Sequence, residues 1–192
     1  MMPQNAASIV AVPGLYPPPD DQVTLPLIDY EDGGVAIQDP SQGLTGYTWR
    51  VYQVNLDVYV QRDTQTPVLQ FSQSGIVELS LAFDQNMRPH IAYATDDGHI
   101  HLRWYNSLTH LYTTTDFGIA RNPRLTLDDK RQVLSSISDV LLAYIRSDNV
   151  LCVRQQRDRF GVEIELVTGI LPSTKLKNIG MNNNYRVQFE LA

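Results

Sequence analysis

The sequence predicts an all-β protein made of antiparallel β-meanders that resemble propeller blades, preceded by an extended proline-rich arm. Three observations carry this. Apolar and polar residues alternate from Thr48 to Val60 and again over Ile76–Phe83, the period of a half-buried strand. A strand–turn–strand pattern near residues 91–103 returns near 142–154. Seven of the eleven prolines fall in the first 43 residues.

Taken in order, residues 1–43 form the arm. "LYPPPDD" favours polyproline II, which has no internal hydrogen bonds. "LPLIDY" and "GGVAI" are short apolar patches around Glu31–Gly34. A loosely ordered tail is one reading. The other is an arm that docks on a neighbouring subunit, its prolines limiting the entropy lost on ordering. The candidate contact residues there are Pro17, Pro18, Pro19, Leu25, Leu27 and Tyr30.

The β-domain spans 44–192. In "WRVYQVNLDVYV", Arg50, Tyr52, Val54, Leu56, Val58 and Val60 make the more apolar face, with a turn near Asn55–Asp57. "TPVLQFS" follows as a strand, its Pro67 at a strand start. Two blade-like repeats cover about 76–118 and 123–169. "IAYATDDGHIHLR" (Ile91–Arg103) matches "LAYIRSDNVLCVR" (Leu142–Arg154) at an offset of 51, and "LAFDQN" matches "LTLDDK" at 44. The second copy carries the extra residues "VLSSISD" in its first loop. Gly98 and Asn149 sit in the tight turns, where positive φ is needed. With residues 44–71 as a partial unit, the chain holds at most three units, too few to close a standard ring. "YRVQFELA" reads as a last strand that adds to an open sheet edge. The predicted core is Val77, Leu79, Leu81, Phe83, Ile91, Tyr93, Ile100, Leu102, Leu125, Leu127, Leu142, Tyr144, Leu151 and Val153.

The composition points to a solution-folded chain. With 192 residues and 43% hydrophobic content there is enough for one core plus an arm. A net charge of −6 gives no general affinity for nucleic acid or anionic membranes. The single cysteine, Cys152, allows no intramolecular disulfide and fits a reducing cytosol. No stretch has the features of a signal peptide or a membrane span.

No catalytic constellation emerges. His99 and His101 lie two apart on one strand face and could hold a metal with a third ligand from His90, His110, Asp96 or Asp97. Their repeat partners are Val150 and Cys152, which favours ordinary strand positions, and no metal or cofactor is expected. Glu163 and Glu165 have the spacing of a carboxylate pair on one strand, but a solvated face accounts for them. Nucleophile and phosphate-loop motifs are lacking, so no catalytic residue is assigned. In "RQQRDR", Arg154, Arg157 and Arg159 suit ion pairs or hydrogen bonds between subunits or blades. Trp104 and Tyr105, with Tyr112 and Phe117, could instead form a glycan-stacking platform, although such aromatics are more often core.

Five blocks in order, "FDQNMRPHIAY", "LRWY", "PRLTLDDKR", "DVLLAYIRSDNVLCVRQQRDRFGVE" and "IGMNNNYRVQFEL", resemble virion structural proteins of short-tailed, podovirus-like bacteriophages. The resemblance covers about residues 70–192. It implies a non-enzymatic part of the tail or head-to-tail junction, folded in the host cytoplasm and carried in the virion. It also implies several copies around the tail axis, with other tail or connector proteins as partners and no cofactor. Tail-hub, collar and fibre-attachment roles all fit it. The alternative function is a receptor- or glycan-binding module of the tail.

Overall fold

The computed structural model describes residues 10–11, 32–37, 46–84, 86, 88–128, 139–181 and 187–192. Among the described residues the regular structure is antiparallel strand, with one 3-10 turn at Gln156–Asp158. The first sheet has five strands in chain order: β1 (Val10–Ala11), β2 (Asp32–Ile37), β3 (Gly46–Val54), β4 (Asp57–Arg62) and β5 (Val68–Ser72). The second has seven, again as a meander: β6 (Ile76–Phe83), β7 (Pro89–Thr95), β8 (His99–Asn106), β9 (Leu111–Asp128), β10 (Asp139–Arg146), β11 (Leu151–Gln155) and β12 (Ile164–Val167). A two-stranded hairpin, β13 (Leu176–Met181) with β14 (Val187–Leu191), completes the fold.

The long strand β9 organises the molecule. Leu111–Ile119 pair with β8, whereas Ala120–Asp128 pair with β10. Gly118 (φ 79°) and Asn122 (φ 53°) lie at the handover, where positive φ bends the chain. The seven-stranded sheet therefore folds on itself as two four-stranded meanders, β6–β9 and β9–β12, that share β9.

Three apolar cores separate four layers. Val51, Val58 and Val60 of the first sheet pack against Leu79, Leu81, Ile91 and Tyr93. The opposite face of that meander, with Ala92, Ala94, Ile100, Leu102 and Trp104, packs on Leu125, Leu142, Tyr144, Cys152 and Phe160. The far face of the second meander, with Leu141, Ala143, Ile145, Leu151 and Val153, packs on Ile170, Leu176 and Ile179, beside Val187 and Phe189. Equivalent residues point the same way in both repeats. Ile91 and Tyr93 face the layer before them, and so do Leu142 and Tyr144, each 51 residues later. The layers thus stack head to tail rather than as a mirrored sandwich. The strands nearest one another in successive layers are β2 with β6, β6 with β9 and β9 with β13, and β1 lies beside β13.

The tight turns agree between copies to the level of single bonds. Gly98 (φ 84°) donates to Thr95 O, and Asn149 (φ 63°) donates to Arg146 O, both at 2.9 Å. Each turn carbonyl then accepts from the strand exit, Ala120 N–H to Gly98 O and Ile170 N–H to Asn149 O, both at 3.0 Å.

Several expectations are corrected. Val77 is 41% exposed, because the register shifts between Ile76 and Glu78 and Ile76 takes the inward place. The face assigned across Arg50–Val60 is not continuous. Asn55 (φ 57°) and Leu56 form a two-residue turn that pairs Val51 with Val60, so the inward residues are odd-numbered before the turn and even-numbered after it. Leu56 is left 55% exposed. The closing strand does not join an edge of the earlier units. It pairs with β13, a segment too rich in Lys, Asn and Gly to read as strand, and the pair makes a fourth layer. The division at residue 43 cuts through the first sheet, since β2 pairs along β3 from Asp32↔Val51 to Ile37↔Gly46. The other predicted core residues are buried, while the side chain of Leu127 lies outside the described residues. Pro17, Pro18, Pro19, Leu25, Leu27, Tyr30 and all of the insertion "VLSSISD" except its last residue, Asp139, also lie outside them.

Candidate interaction surfaces

The boundaries between layers carry a recurring set of side chains. Each meander presents a tyrosine and, on the next strand, an arginine to an outer-strand phenylalanine of the layer before. In the first, Arg103 sits 5.3 Å over Phe71, whose ring is 5.2 Å from Tyr93. In the second, Arg154 sits 4.8 Å over Phe117, whose ring stacks 6.3 Å from Tyr144. Cation–π contacts of this kind contribute roughly 0.5–2 kcal/mol. Arg154 also donates to the Tyr144 hydroxyl (2.7 Å), to Phe160 O (2.9 Å) and to Glu163 (3.0 Å).

Arginine 154 is therefore a tie within and between layers of one chain. Arg157 pairs with Asp139 at the start of β10. Arg159 is exposed and adopts a left-handed conformation (φ 54°) just past the 3-10 turn. Its neighbour Phe160 turns inward and is 1% exposed, with its ring 5.5 Å from Trp104. The sequence reading missed Phe160. The signal lay in the lone aromatic after a run of polar residues, "RQQRDRF".

Glu163 and Glu165 share one partner, Arg146, at 2.5 and 2.6 Å, and Asp148 binds the same guanidinium at 2.7 Å. Burial raises the Glu163 carboxyl, but hydrogen bonds from Tyr144 and Arg146 and the charge of Arg154 outweigh it and hold it below the usual range. Tyr144 is shifted upward by burial and by Glu163. Glu163 accepts from Tyr144, Arg146 and Arg154, whereas Glu165 is half exposed and bonds Arg146. Cys152 is fully buried, and burial with the nearby Glu163 charge pushes its thiol up to about 11, which keeps it protonated.

His99 and His101 share one strand face, with ring centroids 6.2 Å apart and stacked, while His90 and His110 contact other groups. His99 pairs with Asp116 at 3.0 Å, and His101 stacks 4.9 Å from Tyr93. His90 is buried, its Nδ1 3.1 Å from Arg88 O, and His110 lies 3.4 Å from the Tyr105 hydroxyl. Among the described residues no three His, Cys, Asp or Glu side chains gather as metal ligands. No described helix is long and apolar enough to cross a membrane.

Trp104 is 6% exposed and donates to Thr115 Oγ1 at 3.0 Å, so its ring faces the second meander and not solvent. Its burial takes the main residue from the glycan platform. Tyr105 is half-buried, with Arg88 3.9 Å over its ring and Tyr112 edge-on at 5.5 Å. Tyr112 in turn lies under Arg103 at 5.1 Å. This half-exposed stripe of Arg88, Tyr105, Tyr112 and Arg103 has the residue types that anchor protein interfaces.

The second surface is made of strand edges. All four residues of β12 are exposed, among them Ile164 (38%), Leu166 (44%) and Val167 (47%). β12 is the outermost strand of its sheet, and β14 ends the hairpin sheet. Strand edges of this kind present unpaired N–H and C=O groups to any partner of extended form. No family model, curated protein or solved structure matches the chain.

Proposed function

We propose that this chain is a non-enzymatic structural component of a short-tailed bacteriophage virion. In this reading it sits at the tail or head-to-tail junction, in several copies, and binds neighbouring tail or connector proteins. Its layers are propeller-like blades: the first three are meanders and the fourth a hairpin, they stack in the same sense, and the strands nearest one another run β2, β6, β9, β13 and back to β1. The single observation that carries the reading is the pair of incomplete borders, the strand β12 with Ile164, Leu166 and Val167 exposed and the hairpin layer of two strands where the others have four or five. Such borders gain stability when partners cover them, and repetition around an axis multiplies each modest contact. The Arg–Tyr stripe on the first meander supplies a second contact of interface character.

The five ordered sequence blocks that resemble virion proteins support the phage assignment. The engagement of Glu163, Glu165 and Cys152 in packing is compatible with a part that performs no chemistry. The test is mass spectrometry and imaging of purified particles of the phage that encodes the chain. The reading expects the chain in the particle at a fixed, multiple copy number near the tail vertex. Particles that lack it refute the proposal.

A further inference from the structure

The hairpin layer is the narrowest of the four, and its outer strand has the pattern of a self-pairing edge. Among the described residues, no strand pairs with the outer side of β14. Ala192 exchanges both backbone bonds with Lys175, N–H to O at 3.0 Å and O from N–H at 2.7 Å. Amide direction alternates along an antiparallel strand. The backbone groups of Glu190 and Gln188 therefore point to β13, and those of Leu191, Phe189 and Val187 point to the open side.

The side chains repeat the same logic. Phe189 lies opposite Ile179 and Val187 opposite Met181, with Val187 and Phe189 packed on the third core. Gln188 and Glu190 are exposed on the other face. The segment Val187–Leu191 is thus symmetric about Phe189: apolar, polar, apolar, polar, apolar. Set antiparallel against itself, it places Val187 beside Leu191, Phe189 beside Phe189 and Gln188 beside Glu190. No like charges meet, and each apolar residue meets another on one face.

We infer that β14 pairs with β14 of a second copy of this chain, antiparallel and centred on Phe189, to form a continuous sheet β13–β14–β14–β13 across a two-fold axis. Three observations favour a second copy over an unrelated strand. The joined sheet has four strands, the number in each meander. The segment is complementary to its own reverse, as an isologous contact requires. The hairpin alone leaves part of the neighbouring layer uncovered. Ile164 pairs with Val153 and Val167 with Leu151, and both of those belong to the third core, yet Ile164 and Val167 remain 38% and 47% exposed. Strands added beyond β14 extend the hairpin layer toward them. The inference gives the self-association in the assembly reading a specific contact and rests on that reading only for its place in the virion.

The test uses the full chain. Gln188→Cys and Glu190→Cys variants, prepared separately and mixed under mild oxidation, should link 188 to 190 between copies, with far less 188–188 or 190–190 product in peptide maps. Sedimentation should show a dimer. Leu191→Pro removes one outward N–H and no bond to β13, so it should abolish the dimer and lower the 188–190 yield at least tenfold, with an unchanged β-sheet circular dichroism spectrum. A chain that stays monomeric and unlinked at high concentration overturns the inference. So does an oligomer whose cross-links map elsewhere, although that result leaves the assembly reading intact. Conversely, a 188–190 dimer from a chain missing from purified particles upholds this contact and refutes the virion reading.

Discussion

The two repeats differ most at their outer strands. In the first, the outer strand is the beginning of β9, which runs on into the next unit and lends Phe117 to Tyr144 and Arg154. In the second it is β12, which ends after four exposed residues and offers Ile164 and Val167 to a layer too narrow to take them. The pairing of β7 with β8 matches that of β10 with β11 residue for residue, and their turns share the same bonds, so the difference does not come from poorer local propensity. It comes from position in the stack: an outer strand is buried when the following layer is as wide as its own. The same architecture therefore yields a closed boundary between the meanders and an open one at the hairpin.

The comparison can be broken most severely at the strands that hold neighbouring layers together. Arg124 of β9 bridges three layers, bonding Glu78 of β6 at 3.0 Å and Lys177 O of β13 at 2.9 Å. Its side chain and that of Glu78 are only 15% and 13% exposed. Arg124→Ala takes the ion-pair partner from a largely buried carboxylate, leaving it the 2.6 Å bond from Asn122, and should cost about 3–5 kcal/mol in urea unfolding. Next come the equivalent core residues Ile91 (1% exposed) and Leu142 (0%). Alanine at either should cost roughly 2–5 kcal/mol, and similar losses would confirm that the two boundaries bear comparable load. A loss confined to one copy would show that the boundaries are unequal.

A pH titration sharpens the same contrast, because buried His90 of the first copy is replaced by Leu141 in the second. Burial lowers the His90 pKa from 6.5 to about 4, against a raising bond from Arg88 O and the charge of Asp84. The unfolded chain therefore binds the proton more readily between those values. Stability is complete above pH 6.5 and falls as pH drops toward 4, by up to about 3 kcal/mol. His90→Gln should flatten that part of the stability curve, measured by denaturation at stepped pH. The smallest effect is expected at the matched turns. Asn149→Gly should change stability by only a few tenths to about 1 kcal/mol, since relief at φ 63° is offset by loss of the 3.0 Å bond from Arg121. Gly98→Ala (φ 84°) should cost about 1–2 kcal/mol.

Much of the strand layout was legible because alternation, turn glycine and asparagine, and the 51-residue offset are all local signals. Three things were not read. The head-to-tail sense of stacking required a triple that spans the chain, Tyr52, Tyr93 and Tyr144, spaced by 41 and 51 residues. Glycines with positive φ, each followed by isoleucine, recur as Gly75, Gly118 and Gly169 and mark the start of each new layer. Both signals were available. The third, β13, was not, because its "LKNIGM" is half polar and becomes a strand only against the apolar face of Leu151 and Val153. At the surfaces, the fate of Trp104 could not be read from composition. An aromatic on a strand serves a core or a platform according to which face the next layer covers.

Hydrogen exchange of the whole chain tests most directly the claim that β12 and β14 are borders left for partners. The account predicts that amides of β7, β8 and β10 exchange slowly in dilute and assembled samples alike. The outward amides of Val187, Phe189 and Leu191, with those of β12, should exchange fast when dilute and become protected on assembly. Equal, strong protection of both edges in the dilute monomer would contradict it.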